Sequence, residues 1–157
     1  MKYGTEKIKS WVQARADCLF DENSKEIPGG DLAVVPDSST NTFLHNILIR
    51  SSATRAFIGL FIYSGNRGVW VDDTPYRYIH WARGEPNHLG KEIYTEMLEN
   101  GNWNNIATYT VASKFGYFCQ RPVLEGEKIN FHLGKGRHDY SIIEIQGVSS
   151  LWARFNL

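Results

Sequence analysis

The side chains best suited to chemistry fall in one stretch: Glu85-Pro86-Asn87, then Glu92, then Trp103-Asn104-Asn105. They bring together two carboxylates and two or three carboxamides, with a proline inside the first group. Hard cations such as Ca²⁺ take roughly six to eight oxygen ligands, and carboxylates, carboxamides and main-chain carbonyls supply them. A sugar's vicinal hydroxyls, each both donor and acceptor, can complete such a shell. The set reads as a calcium-dependent carbohydrate site, provided the fold brings its segments together. Taken alone, Gly84-Glu85-Pro86-Asn87 is a surface turn and Asn104-Asn105 a turn pair. The elements around them decide.

Ser10 followed by Gln13 is a capping-box pattern, and it opens the apolar series Trp11, Ala14, Cys18 along one face of a first helix. Gly29-Gly30 breaks the chain before Leu32-Ala33-Val34-Val35, a short buried strand. Pro36-Asp37-Ser38-Ser39 starts a second helix, with Phe43, Leu44, Ile47 and Leu48 as its apolar face. Phe57 to Ile62 is a buried β run, and Val69-Trp70-Val71 another strand across the turn Gly65-Asn66-Arg67-Gly68. From Asp72 to Asn105 no helical or strand period stands out, and so long a polar segment in a compact domain is normally functional. Strand-like sequence returns at Gly101-Asn102-Trp103 and from Val111 to Cys119. Beyond Pro122, alternation at Ile129, Phe131 and Leu133 and at Ile143 and Ile145 suggests two strands around Gly134-Lys135-Gly136. Residues 123–157 either pack on the main domain as a β-rich extension or begin a second one.

A chain of 157 residues holds one domain with a real core, or one domain and a short appendage. Seventeen basic and seventeen acidic residues cancel, so neither nucleic acid nor an anionic membrane is the expected partner. No apolar run reaches the roughly 20 residues of a membrane span. The start MKYGTEKIKSW lacks the apolar stretch of a signal peptide. Cys18 and Cys119 fit equally as two buried thiols or as a bridge. No Asn-x-Ser/Thr sequon speaks for secretion.

Catalysis finds little support. An acid–base pair needs one carboxyl raised by an apolar pocket, whereas Glu85 and Glu92 sit in a polar loop. His80, His88, His132 and His138 lack metal-ligand spacing with either cysteine. Gly134-Lys135-Gly136-Arg137 reads as a hairpin turn rather than a phosphate loop. The reading is of a binding protein, not an enzyme.

The order of features is nonetheless specific. A Trp11-x-x-Ala14-x-x-x-Cys18 helix precedes Gly29-Gly30-x-Leu32-Ala33 and a Phe57-Ile58-Gly59-Leu60 strand. Then come Trp70-Val71-Asp72-Asp73, Tyr78-x-x-Trp81, Gly84-Glu85-Pro86-Asn87, Trp103-Asn104-Asn105 and a last-strand Cys119. Over residues 1–122 the chain resembles the C-type lectin-like domain family. The resemblance implies an α+β fold of two helices and two small antiparallel sheets, with long loops carrying the site. It implies a Cys18–Cys119 disulfide and an extracellular or secreted protein whose signal segment lies outside this chain.

It also implies roles. Glu85 and Asn87 would each bind Ca²⁺ and a sugar hydroxyl, with Pro86 in the cis form that aims both inward. Glu92 follows as third ligand and Asn104 as fourth, both also meeting the sugar, with Glu96 a rival to Glu92. Asn105 would be a further Ca²⁺ ligand, standing where sugar-binding members have Asp, keeping an oxygen but losing a charge. Tyr94 and Thr108 stand where a second disulfide pins the loops, and His88 and Ile93 where an auxiliary calcium site needs acids. One Ca²⁺ at most is expected, with weak affinity of about 10⁻⁴ to 10⁻³ M. Trp70, Trp81 and Trp103 read as core, and His88 as a candidate for stacking on sugar.

Glu-Pro-Asn implies mannose-type selectivity (mannose, N-acetylglucosamine, fucose), weak per site and gaining avidity if the protein oligomerises. The alternative is a domain that keeps the scaffold and binds protein or lipid without calcium.

Overall fold

The computed structural model describes residues 10–20, 23–51, 53–107 and 115–122, with strand pieces at 134–135, 140–141, 144–146 and 149–156. In chain order the elements are α1 Trp11–Asp17, β1 Asp31–Leu32, α2 Ser38–Arg50, β2 Arg55–Ser64, β3 Arg67–Trp70, β4 Tyr94–Leu98 and β5 Trp103–Ile106. There follow β6 Phe115–Pro122, β7 Gly134–Lys135, β8 Tyr140–Ser141, β9 Glu144–Gln146 and β10 Ser149–Asn156.

Both helices start where their caps predict. The Ser10 hydroxyl accepts the Gln13 N–H, and Asp37 Oδ1 accepts the Thr40 N–H at 2.8 Å. Trp11, Ala14 and Cys18 are buried along α1, and Leu44, Ile47 and Leu48 along α2. The disulfide Cys18–Cys119 ties α1 to β6 across 101 residues.

The sheets differ from the expectation of two small antiparallel ones. One eight-stranded mixed sheet runs β5-β4-β2-β6-β10-β9, with β1 on β6 and β3 on β2, beside a separate β7–β8 pair. Its seam is the parallel pairing of β2 with β6 from Arg55↔Phe115 to Phe57↔Tyr117. Both strands are buried almost throughout, as parallel pairing requires. The expected strand 32–35 is regular only at its start, for a physical reason. Past Leu32 it threads between β2 and β6, with Ala33 N–H donating to Phe118 O and Gly59 N–H to Ala33 O.

β4 lies where no strand period was legible, because Thr95 and Glu96 are polar yet fully buried. Between β6 and the edge strand β9, β10 pairs antiparallel with β6 from Ser149↔Pro122 to Asn156↔Phe115. Arg154 secures it by donating to Asp17 Oδ2 and to the carbonyls of Asp17 and Phe20 at the end of α1. The expected alternation at Ile129, Phe131, Leu133 and Ile143 lies outside the described residues, as do Thr108, His132, Gly136, Arg137 and His138.

Candidate functional site

Trp103 anchors the site. Its ring is fully buried, meeting Trp70, Trp81 and Tyr78 edge-on at centroid distances of 5.6, 5.7 and 5.8 Å. Its indole N–H donates to Asn41 Oδ1 at 2.8 Å, and Asn41 Nδ2 donates to Gly101 O, so α2 fixes the start of β5. The chain at 80–82 runs beside Trp103: Trp103 N–H donates to His80 O and Ala82 N–H to Trp103 O. That places the 83–92 loop beside Asn104 and Asn105. Trp70 and Trp103 are core, and Trp81 packs against it, as expected of them.

The Glu85–Pro86 bond is cis, and the loop turns through Gly84 and Gly90 at positive φ. Glu85 and Asn87 are locked together. Asn87 Nδ2 donates to Glu85 Oε1 at 2.8 Å, and the Asn87 N–H donates to Glu85 Oε2 at 3.1 Å. Asn87 Oδ1 is buried with no hydrogen-bond partner among the described residues. Burial holds the Glu85 carboxyl above its ordinary value. The Asn87 N–H pulls it down, while the nearby Glu92 charge pushes it up.

A cavity of about 330 Å³ opens between Asn87, His88, Glu92, Asn104, Asn105 and Arg55. His88 sits at φ 43° and is 70% exposed, with Nδ1 3.5 Å from Glu92 Oε2. Asn104 and Asn105 lie on β5 rather than in a turn. Asn104 Nδ2 donates to Glu96 Oε1 at 3.1 Å. Glu96, the rival to Glu92, is fully buried on β4 behind Asn104 and has Arg55 Nη1 3.3 Å away. Its burial raises its carboxyl pKa, while Asn104 and Arg55 pull it back. Glu92 lines the cavity and Glu96 does not.

Asn105 plays a part that its spacing did not reveal. It is 1% exposed, and its Oδ1 accepts the Asn87 N–H at 2.9 Å. Its Nδ2 donates to the carbonyls of Asn87 and Glu92, so the carboxamide clasps both ends of the loop. An Asp could accept from Asn87 but could not donate to either carbonyl. The asparagine therefore supplies without metal part of the constraint that the absent second disulfide would supply. Tyr94, at one of that bridge's positions, stacks on Trp11 at 4.7 Å instead.

The donor set suits a hard cation. An orphaned amide oxygen and two mutually repelling carboxylates are what a positive ion relieves. Among the described residues no three His, Cys, Asp or Glu side chains form a metal cluster, so a cation held here would need amide oxygens as well.

The lectin C-type domain profile matches residues 7–121. Collectin-10 of Xenopus tropicalis is 36% identical over 83 residues, which are 51% of this chain and 30% of that protein. The matched chain thus spans about a third of this relative's length. Among solved structures, the EPNH mutant of CEL-I, a Cucumaria echinata lectin, superposes with TM-score 0.58 at 26% identity, covering 73% of this chain and 83% of that one. Residues 85–88 here spell the same four letters. The murine dendritic cell inhibitory receptor 2 lectin domain, solved in complex with N-glycan, gives 0.52 at 26%, covering 65% and 76%. With its caps, disulfide, tryptophan cluster and loop in the matching order, the chain belongs to the C-type lectin domain family.

Proposed function

We propose that the protein binds carbohydrate through one weak Ca²⁺ site at Glu85, Asn87, Glu92 and Asn104, with mannose-type selectivity. The observation that carries this is the buried, unpartnered Asn87 Oδ1 beside Glu85. Glu85 and Glu92 supply the charge, and the amide oxygens of Asn87 and Asn104 complete the side-chain set. Asn105 steadies the loop and adds no charge. Bound there, Ca²⁺ would supply a Lewis acid for two vicinal sugar hydroxyls, while the same four side chains hydrogen-bond them. The N-glycan bound by a structural relative favours a glycan ligand. His88 stands at the rim, exposed enough to meet a sugar face. An extracellular setting is proposed with it, since Cys18–Cys119 is a structural disulfide.

One observation favours a second reading. The Asn105 clasp orders the loop through hydrogen bonds that need no ion, which suits a calcium-independent protein- or lipid-binding domain. Thermal melting separates the two. At Ca²⁺ about tenfold above Kd, linkage stabilises the protein by about 1.4 kcal/mol, and Glu85→Gln abolishes most of that gain. Mannose calorimetry gives heat with Ca²⁺ and none with EDTA. No melting shift at 10 mM Ca²⁺, or equal heat in EDTA, overturns the calcium-lectin reading.

A further inference from the structure

We propose that Glu96 is a positioning residue for the candidate ion site, setting the orientation of the Asn104 carboxamide so that Oδ1 is left for the ligand. The inference rests on the calcium reading for its effect on binding, but not for its geometry.

Glu96 and Asn104 are direct partners in the β4–β5 ladder, so their side chains leave the same face of the sheet side by side. The contact is polar: Asn104 Nδ2 donates to Glu96 Oε1 at 3.1 Å. Asn104 Oδ1 has no hydrogen-bond partner among the described residues, and Asn104 lines the cavity shared with Asn87 and Glu92. A carboxamide can rotate by half a turn and exchange its oxygen and nitrogen at little steric cost. Here that rotation would set Asn104 Oδ1 against Glu96 Oε1, an acceptor already facing the Arg55 guanidinium. The buried carboxylate therefore opposes the orientation that would turn an N–H₂ group toward a cation.

Arg55 Nη1, 3.3 Å from Glu96 Oε1, accounts for part of the need for an acid here. Glu96 is fully buried, its Oε2 has no hydrogen-bond partner among the described residues, and its Oε1 is shared between Asn104 and Arg55. A buried carboxylate with a lone oxygen is an expensive way to hold a strand pair, where an apolar residue would serve. The expense is intelligible if the acid orients a ligand amide and polarises its oxygen. Groups of this kind behind a metal ligand typically change affinity by about 10- to 100-fold when removed.

The test uses the whole chain in four variants: Glu96→Gln, Glu96→Leu, Asn104→Asp, and Asn104→Asp combined with Glu96→Gln. Ca²⁺ affinity is read by calorimetry, and the Asn104 side-chain NH₂ resonances by NMR in EDTA. Glu96→Leu is expected to weaken Ca²⁺ by about 10- to 100-fold, and Glu96→Gln, which keeps an acceptor oxygen, by under about tenfold. Asn104→Asp puts two carboxylates in contact. Adding Glu96→Gln to it should restore binding by at least about tenfold, the reverse of what Glu96→Gln does alone.

In EDTA the wild-type Asn104 NH₂ pair should be shifted and dispersed by its charged acceptor, and should collapse toward the free-amide position in Glu96→Leu. Unchanged NH₂ signals in a folded Glu96→Leu, or Ca²⁺ affinity within about threefold of wild type, overturn the proposal. If Glu96→Leu does not fold, the Asn104→Asp pair decides: no gain from Glu96→Gln overturns it equally. If wild type binds no Ca²⁺ while the NH₂ signals respond as expected, the calcium reading falls and the positioning role stands.

Discussion

Asn105→Asp is the substitution whose outcome depends most directly on the geometry of the loop. It restores the residue that sugar-binding family members are expected to carry, and it changes one atom group. In this chain that group, Nδ2, donates to the carbonyls of Asn87 and Glu92 from a side chain only 1% exposed. The variant loses both donations and turns an anionic oxygen toward two carbonyls. Each lost bond with a buried acceptor left behind costs about 1 to 3 kcal/mol, so the pair amounts to roughly 2 to 6 kcal/mol. For a chain of this size that is a fall in melting temperature of about 4 to 24 °C in EDTA.

Calcium should act in the opposite direction. The new carboxylate adds a charge to those of Glu85 and Glu92, and affinity for Ca²⁺ rises with ligand charge. At about 100 times Kd, ion binding returns about 2.7 kcal/mol, so the gap between variant and wild type narrows as Ca²⁺ is added. The assay is a melting series in EDTA and in rising CaCl₂ for both proteins. A variant that melts with wild type in EDTA would refute the clasp. Equal stabilisation of the two proteins by Ca²⁺ would refute the charge argument.

Three further outcomes follow from the fold. Replacing Cys18 and Cys119 by Ser opens a closed loop spanning a sequence separation of 101 and should cost about 4 to 5 kcal/mol. Melting with and without reductant checks it, and two titratable thiols on the folded wild type would refute the bridge. Arg154→Ala removes one donor each from the Asp17 and Phe20 carbonyls and from the Asp17 carboxylate, which keeps the Tyr117 hydroxyl, costing about 2 to 3 kcal/mol in denaturant unfolding. Gly101→Ala puts a Cβ 2.9 Å from the His45 ring at a φ of 85°, so it should lower stability by about 1 to 3 kcal/mol. Because Gly101 O also holds Asn41, that variant should weaken Ca²⁺ binding through Trp103.

Much of the architecture was legible along the chain because its signals are local. Ser10 caps the helix it was read to cap, Asp37 caps the second from within the tetrapeptide read as its start, and Trp11, Ala14 and Cys18 form a buried face. Other features were hidden because their cause is not local. Tyr94 to Leu98 reads as polar loop, since nothing in the string says that Thr95 and Glu96 are buried. Leu32 to Val35 reads as one strand, yet only the pairing of β2 with β6 draws it between them.

The residue types by themselves determined the ingredients of the candidate site: carboxylates and amides of the kind a hard cation takes, and a proline between two oxygen donors. They also determined that Asn105 carries no charge. Only the tertiary structure decided how these residues divide their labour. Spacing treats Asn104 and Asn105 as equal neighbours, but adjacent residues of a strand face opposite ways. Asn104 meets Glu96 at the cavity, while Asn105 turns to the loop carbonyls. The Glu96 contact and the clasp come from partners 8 and 18 positions away, a distance no local pattern spans.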